Sequence, residues 1–184
     1  MKQLWEFIAG SNDFCPYVHF DPDDAYSGLF ETNGKPMQWT GTPRIKKFVD
    51  RKPKNNMPQA DFGWLLPGTI ILSERAHAVL KDFLQQFGEL ILLDCHGEAR
   101  HFYNITNLVT CIDFEKSEKS SSDKSILKAE FLQDAIPESV QIFKDPRTAG
   151  GRMYLTQAAK DELEAIITQN GLTGLRLFEA GKKF

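Results

Sequence analysis

Residues 155–177 read LTQAAKDELEAIITQNGLTGLRL, which is the pattern of a capped helix followed by a strand. Thr156 is a preferred N-cap residue, because its hydroxyl can accept a hydrogen bond from the first helical turn. Apolar residues then recur at helical spacing, and Gly171 stands where a helix favours a stop with positive φ. Together with an apolar strand before the helix, this stretch predicts a strand–helix–strand unit.

A stretch of the same kind lies 83 positions earlier. Residues 72–93 read LSERAHAVLKDFLQQFGELILL, with Ser73 as N-cap, a helix predicted over 74–87 and Gly88 as its stop. Residues 68–88 align with residues 151–171 without a gap, and six of the 21 pairs are identical. Because the caps, the apolar face and the stops coincide, the alignment favours a duplicated unit. The alternative is that two unrelated strand–helix–strand units follow the same rules.

The remaining segments predict strands and loops. ELILLDC and RHFYNI, joined by HGEA, form a predicted hairpin over residues 89–105, and LVTCIDF predicts a further strand over 108–114. The first third of the chain combines short apolar runs with many turn residues. We therefore expect an α+β fold, with a mainly antiparallel sheet, two helices from the repeated unit packed on it, and an irregular, strand-rich N-terminal part.

Length and composition predict one domain spanning residues 1–184. The polar stretch 51–60 is a softer boundary between an N-terminal part and the repeat-bearing region 60–180.

The chain is 41% hydrophobic and 26% charged with a formal net charge of −3, as is usual for soluble proteins. Its three cysteines show no CxxC spacing, and neither a signal peptide nor a transmembrane segment is visible. These features predict a cytoplasmic protein without membrane association.

Two motifs in the second half carry a resemblance to a known family. One is FYNITN followed by IDFEKS, at residues 102–107 and 112–117, and the other is NGLTGLRLF at residues 170–178. With the capped helices, these motifs make residues 60–180 similar to the polymorphic-toxin immunity proteins of family eleven, a large bacterial family. The first 60 residues match no pattern of that family, and we interpret them as lineage-specific.

The resemblance implies a function without catalysis. Members of the family neutralise a cognate toxin encoded by an adjacent gene, so the expected activity is binding and occlusion of a toxin domain. The expected partner is therefore that toxin, and no enzymatic activity, cofactor or metal ion is expected.

Charge segregation in the first third suggests where such a partner would bind. Residues 1–34 carry one basic and six acidic residues, a net charge of −5, whereas residues 35–54 carry seven basic residues and one acidic residue, a net charge of +6. Two solvated loops would explain this pattern, but a dipolar surface can also steer a charged partner. The candidate toxin contacts are Asp21, Asp23, Asp24, Lys46, Lys47, Arg51 and Lys52.

Two other functions are weighed against toxin binding. Cys95, His96 and His101 lie within one predicted hairpin, and residues of these types could serve a small hydrolase or bind a metal ion. Strand alternation would place their side chains on different faces, which argues against this alternative. Six basic residues within 44–54 could bind phosphates, but the net negative charge of the chain argues against nucleic acid.

Overall fold

Two four-stranded antiparallel sheets and two helices build the protein, which is an α+β fold as predicted. The computed structural model describes residues 2–10, 13–52 and 57–181, so residues 53–56 of the predicted boundary segment lie outside the described residues. Within these ranges the helices are α1 (Glu74–Leu84) and α2 (Gln157–Asn170). The strands there are β1 (Leu4–Ala9), β2 (Tyr17–His19), β3 (Ile45–Lys47), β4 (Phe62–Gly63), β5 (Ile70–Leu72), β6 (Gly88–Cys95), β7 (Glu98–Ile105), β8 (Glu118–Lys119), β9 (Ile126–Lys128), β10 (Ile142–Phe143), β11 (Tyr154–Thr156) and β12 (Leu175–Glu179).

The sheets have the strand orders β4-β5-β7-β6 and β10-β11-β1-β12, and β2-β3 and β8-β9 form two smaller ladders. Each large sheet contains the strands that flank one helix of the sequence repeat. In both sheets a third strand lies between those two flanking strands, namely β7 in the first sheet and β1 in the second. The predicted mainly antiparallel sheet is thus divided into two antiparallel sheets.

Helix α1 begins where the sequence predicted and ends three residues earlier. The Ser73 hydroxyl accepts a hydrogen bond from the Ala76 amide at 3.1 Å, which caps the first turn. The last helical residue is Leu84, and Gly88 lies in β6 without a positive φ, so its predicted role as a helix stop is wrong. A Cβ at Gly88 would lie 2.2 Å from the Asn104 carbonyl oxygen, so close approach of β7 requires a glycine there.

Helix α2 has both predicted boundaries. The Thr156 hydroxyl accepts from the Ala159 amide at 3.3 Å, and Gly171 ends the helix in the left-handed conformation with φ 58°. The Gly171 amide donates to the carbonyls of Ile167 and Thr168, which would otherwise lack partners at the helix end. Local signals at the two ends therefore determine this helix.

The repeat extends beyond the aligned residues, because the two sheets have the same pairing. Leu72 pairs with His101 in β7, and its counterpart Leu155 pairs with Trp5 in β1. Strand β1, which precedes the first helical unit, lies between β11 and β12 of the second. Strand β7, which precedes the second unit, lies between β5 and β6 of the first. The two halves therefore have the same arrangement, and each contributes its first strand to the sheet of the other half.

Side-chain contacts between strand and helix also occur at equivalent positions of the two halves. The Trp5 indole N–H donates to the Gln157 side chain at 2.8 Å, and His101 Nε2 lies 3.1 Å from the Glu74 carboxylate. Gln157 and Glu74 are the first residues of the two helices. The same strand position therefore contacts the same helix position in both halves, which supports duplication over coincidence.

The core has three parts, which are one central cluster and two outer clusters that occupy corresponding places in the two halves. Both helices and the inner faces of both sheets share the central cluster, which includes Phe7, Leu80, Tyr103 and Leu163. The outer face of the β4-β5-β7-β6 sheet is covered by residues from the 13–50 region. The outer face of the other sheet is covered by residues 109–136. The N-terminal residues thus belong to the packed structure through β1 and through this covering segment.

The strand predicted over residues 108–114 is wrong, because this segment makes only isolated bridges, at Leu108 and Ile112. The buried Asp145 carboxylate accepts hydrogen bonds from the backbone N–H groups of Cys111 and Ile112, at 2.8 and 2.9 Å. A side chain therefore satisfies backbone donors that a neighbouring strand would satisfy in a sheet.

Lys144 is fully buried and fastens three segments around β10. Its ammonium group donates to Thr32 Oγ1 at 2.5 Å, to the Ala149 carbonyl at 2.7 Å and to the Gly68 carbonyl at 3.2 Å. Burial lowers the pKa of Lys144 to about 7, because an ammonium group loses hydration in the interior.

This pKa predicts a pH-dependent stability. Between pH 7 and about 10 the unfolded chain keeps the Lys144 proton while the folded protein releases it, so the free energy of unfolding rises with pH. Relative to a Lys144→Met variant, we expect the rise to be on the order of 3 kcal/mol, measured by urea denaturation at several pH values. Other titrating groups act in both proteins and cancel in the comparison. Parallel pH profiles for the two proteins would refute this account of Lys144.

Candidate functional site

The hairpin formed by β6 and β7 ends in a two-residue turn. Cys95 pairs with Glu98, and the turn residues His96 and Gly97 have φ values of 55° and 81°. Two positive φ values are typical of the type I′ turn, whose twist matches that of the strands. The Gly97 amide also donates to the Asp94 carboxylate at 2.6 Å. Together these features hold the end of the hairpin in one conformation.

The β6-β7 hairpin is longer than its counterpart in the other half. Pairing of β1 with β12 ends at Trp5 and Glu179, and the equivalent pair in the first half is His101 with Leu92. Three further pairs follow in β6 and β7, up to Cys95 and Glu98. The end of this hairpin is therefore a place where the chain departs from its internal repeat.

The 43–46 segment lies beside this hairpin end and builds a surface with it. The Asp94 amide donates to the Pro43 carbonyl at 3.0 Å, and Arg44 Nε lies 3.5 Å from the Asp94 carboxylate. The Arg44 guanidinium lies 3.5 Å above the Phe20 ring, and the His96 ring meets that ring at 5.9 Å in an edge arrangement. We call this set the tip surface, and its members are Phe20, Arg44, Lys46, Asp94 and His96.

A chain of hydrogen bonds supports one side of the tip surface. Lys47 donates to both oxygens of the Glu98 carboxylate, at 3.0 and 2.9 Å, and Arg100 donates to the same carboxylate at 2.6 Å. Arg100 also donates to the Tyr17 hydroxyl at 2.8 Å. The hydrogen bond from Lys47 is the main cause that lowers the pKa of Glu98. This network joins β2 and β3 to the hairpin.

The acidic candidates lie in a turn directly after β2. Asp21 caps a short 3-10 helix, Pro22–Ala25, and its carboxylate accepts from the Asp23 amide at 3.0 Å. Asp24 lies in the same turn, and Tyr26, which follows it, has 92% of its surface exposed. The turn continues from Phe20, so it adjoins the tip surface.

The structure brings together only some of the basic candidates. Lys46 belongs to the tip surface and donates to the Phe20 carbonyl at 3.2 Å, whereas Lys47 is engaged with Glu98. Arg51 and Lys52 follow the far end of β3. Because β2 and β3 are antiparallel, these two residues lie at the opposite end of the ladder from the acidic turn. The candidates therefore form two groups.

The structure separates the three residues of the hydrolase or metal-binding alternative. Cys95 is buried in the cluster on one face of the sheet, and burial raises the pKa of its thiol. His96 is exposed in the turn, whereas His101 faces α1 and stacks on His77 with ring centroids 3.5 Å apart. Over residues 2–10, 13–52 and 57–181, no group of three or more histidine, cysteine or acidic side chains is arranged to hold a metal ion.

Two tryptophans in turn-rich segments have different environments. Trp39 packs on Phe30 and Phe102, and its indole N–H donates to the Leu29 carbonyl at 2.9 Å, so it covers the core. Trp64 is 39% exposed and lies at the rim of a cleft. Phe20 and Arg44 were not among the sequence candidates, because their stacking depends on the distant hairpin. The signal available in the sequence was an aromatic residue next to an acidic turn.

The residues that carry the family resemblance have structural contacts. The buried Ser117 hydroxyl donates to the Asp113 carbonyl at 2.6 Å and accepts from the Glu130 amide at 3.0 Å, which fastens residues 113–117 to the 126–130 segment. Thr173 donates from its amide to the Asp61 carboxylate at 3.0 Å. These motifs therefore stabilise the fold and lie outside the tip surface.

Comparisons with known proteins do not identify the family of this chain. No protein-family model matches the sequence, and no curated protein matches it. Among the described helices, none has the length and apolar composition needed to cross a membrane. The resemblance to the immunity proteins therefore stays a prediction that is carried by the sequence motifs.

Proposed function

We propose that this protein is a cytoplasmic immunity protein, which binds a toxin encoded by the adjacent gene and neutralises it by occlusion. The proposal rests on the motif resemblance, and the tip surface is the structural observation that supports a binding role. There the exposed Arg44 is held over the half-buried Phe20 ring by Asp94 and by the adjoining backbone. Arginine and aromatic residues contribute most to the binding energy of many protein interfaces.

The arrangement of the tip surface suits specific recognition. The hairpin turn, the Asp94 contacts and the Lys47–Glu98–Arg100 network fix the positions of its side chains before binding. A surface that is already ordered loses less conformational entropy when a partner binds. The neighbouring acidic turn and Lys46 place charges of both signs around the aromatic centre, which favours a partner with complementary charges.

The proposal is tested with the two purified proteins. The toxin domain encoded by the adjacent gene, inactivated in its own active site, is mixed with this chain and analysed by size-exclusion chromatography and calorimetry. We expect co-elution and saturable binding. If the folded chain and the toxin domain elute separately at concentrations of about 10 μM, the proposed function is incorrect.

Phe20→Ala should weaken toxin binding by about 30-fold, which corresponds to about 2 kcal/mol, because the variant removes the ring under Arg44. Phe114→Ala is the matched control. Phe114 also lies under cationic side chains, those of Lys119 and Arg147, but it belongs to the segment that covers the other sheet. Calorimetry should give wild-type affinity for the control. Equal affinities for both variants would exclude the tip surface as the contact site.

A further inference from the structure

An open cleft of about 310 Å³ lies between the outer face of the β10-β11-β1-β12 sheet and the connection from β4 to β5. Ile8, Leu66 and Met153 give it apolar walls, and Trp64 lies at its rim. Arg176 lines the cleft, is exposed, and makes no ion pair with any residue of the described ranges. The cleft therefore combines apolar walls with an available cation.

The internal repeat identifies the counterpart of this cleft in the other half. Ile8 pairs with Arg176 across β1 and β12, and by the strand equivalence the corresponding pair is Asn104 with Glu89, across β7 and β6. The connection from β4 to β5 corresponds to the connection from β10 to β11. Each position lies on the outer face of one sheet and beside the equivalent connection from the other half. What fills the two positions can therefore be compared directly.

In the first half this position is filled by the chain itself. Residues 32–37 run across it, where Asn104 Nδ2 donates to the Lys35 carbonyl at 2.7 Å and the Met37 amide donates to the Glu89 carboxylate at 2.5 Å. On the other side, Lys144 from the β10-β11 connection donates to the Thr32 hydroxyl. The occupant of the equivalent position is therefore a peptide segment held through both its backbone and its side chains.

We infer that the open cleft binds a peptide segment of a partner protein, with an apolar side chain against its walls and a carboxylate at Arg176. The chemistry expected of the bound segment follows from two residue differences between the positions, Glu89 versus Arg176 and Asn104 versus Ile8. Glu89 accepts a hydrogen bond from the filling segment, whereas Arg176 can only donate, so the segment in the open cleft must supply an acceptor. Among unmodified peptide side chains, a carboxylate is the strongest acceptor for a guanidinium. Ile8 stands in place of Asn104 and makes the neighbouring wall apolar. This inference goes beyond toxin binding at the tip surface, and it holds whether or not the partner is a toxin.

The test uses the full chain and a blocked synthetic peptide. The probe is the sequence of residues 32–37 with Lys35→Glu, and the control peptide carries Lys35→Gln. Binding is followed by the NMR signal of the Trp64 indole N–H. We expect a saturable shift with a Kd of about 0.1–1 mM for the acidic peptide, and at least fivefold weaker binding for the control peptide.

Three protein variants make the assignment specific. The Arg176→Gln variant should bind the acidic peptide at least fivefold more weakly than wild type. The Lys81→Gln variant, which is changed on the exposed face of α1, should bind it with wild-type affinity. Gly151→Leu should abolish binding while the protein stays folded, because a Cβ at Gly151 meets no atom within 4 Å and the side chain would enter the cleft.

Three results would overturn the inference. One is the absence of any Trp64 shift up to about 10 mM peptide. Another is unchanged affinity in Arg176→Gln. The third is a Trp64 signal that depends on protein concentration without peptide, which would assign the cleft to a second copy of this chain. None of these results bears on toxin binding at the tip surface, which is measured separately.

Discussion

Asp61→Ala should lower the free energy of unfolding by about 3 kcal/mol. The Asp61 carboxylate is buried and accepts three hydrogen bonds, from the Ser73 hydroxyl at 2.8 Å, the Thr173 amide at 3.0 Å and the Thr173 hydroxyl at 3.2 Å. Arg75 lies 3.5 Å away. The carboxylate thus joins the N-cap of α1 to the segment after α2, and its removal leaves three partly buried donors without their acceptor.

Two variants make the measurement of Asp61 specific. Asp61→Asn keeps the shape of the side chain and one acceptor oxygen, so we expect its free energy of unfolding to lie between those of wild type and Asp61→Ala. Asp82→Ala, at an exposed position of α1, should change stability by less than about 0.5 kcal/mol. Urea denaturation gives all three values. If Asp61→Ala is as stable as Asp82→Ala, the carboxylate does not join the two halves.

Gly174→Ala should destabilise the protein by about 3 kcal/mol or more, because two costs combine. Gly174 has a φ of 93°, and a Cβ there would lie 2.3 Å from the Ala60 Cβ and 2.5 Å from the Phe62 carbonyl oxygen. The Gly174 carbonyl also accepts from the Gly10 amide at 2.6 Å. A shift that relieves the clash would therefore disturb the contact between the halves.

Gly97→Ala separates the two costs at Gly174. Gly97 has a similar φ of 81°, but a Cβ there would meet no atom within 4 Å. The control should therefore show only the backbone cost, about 1 kcal/mol. Thermal and urea denaturation of both variants give the difference, which measures the close packing at Gly174. Equal losses for the two variants would contradict this packing.

The sequence predicted the elements of the fold better than their arrangement. Both helices follow from local signals, namely the hydroxyl caps, the apolar stripe and, for α2, Gly171. The partner of a strand is a long-range property, so the alternation of residues 4–9 could predict β1 without placing it between β11 and β12. Side-chain acceptors such as Asp145 add contacts that no local pattern reveals.

The candidate site was predictable to a similar extent. Charge segregation identified the acidic turn and Lys46, which adjoin each other in the structure. It also grouped them with Arg51 and Lys52, although the antiparallel ladder places these at its other end. An aromatic residue next to an acidic turn was visible in the sequence, but the stacking of Arg44 on Phe20 also involves Asp94 from a hairpin 50 residues away, which no local pattern predicts.

The proposed function is tested most directly by survival of cells that express the toxin encoded by the adjacent gene. The account predicts that co-expression of this chain restores growth, and that a chain carrying Phe20→Ala and Arg44→Glu, present in equal amount and folded, protects poorly. The Phe114→Ala chain should protect as well as wild type. Continued toxicity in the presence of the folded wild-type chain would contradict the account.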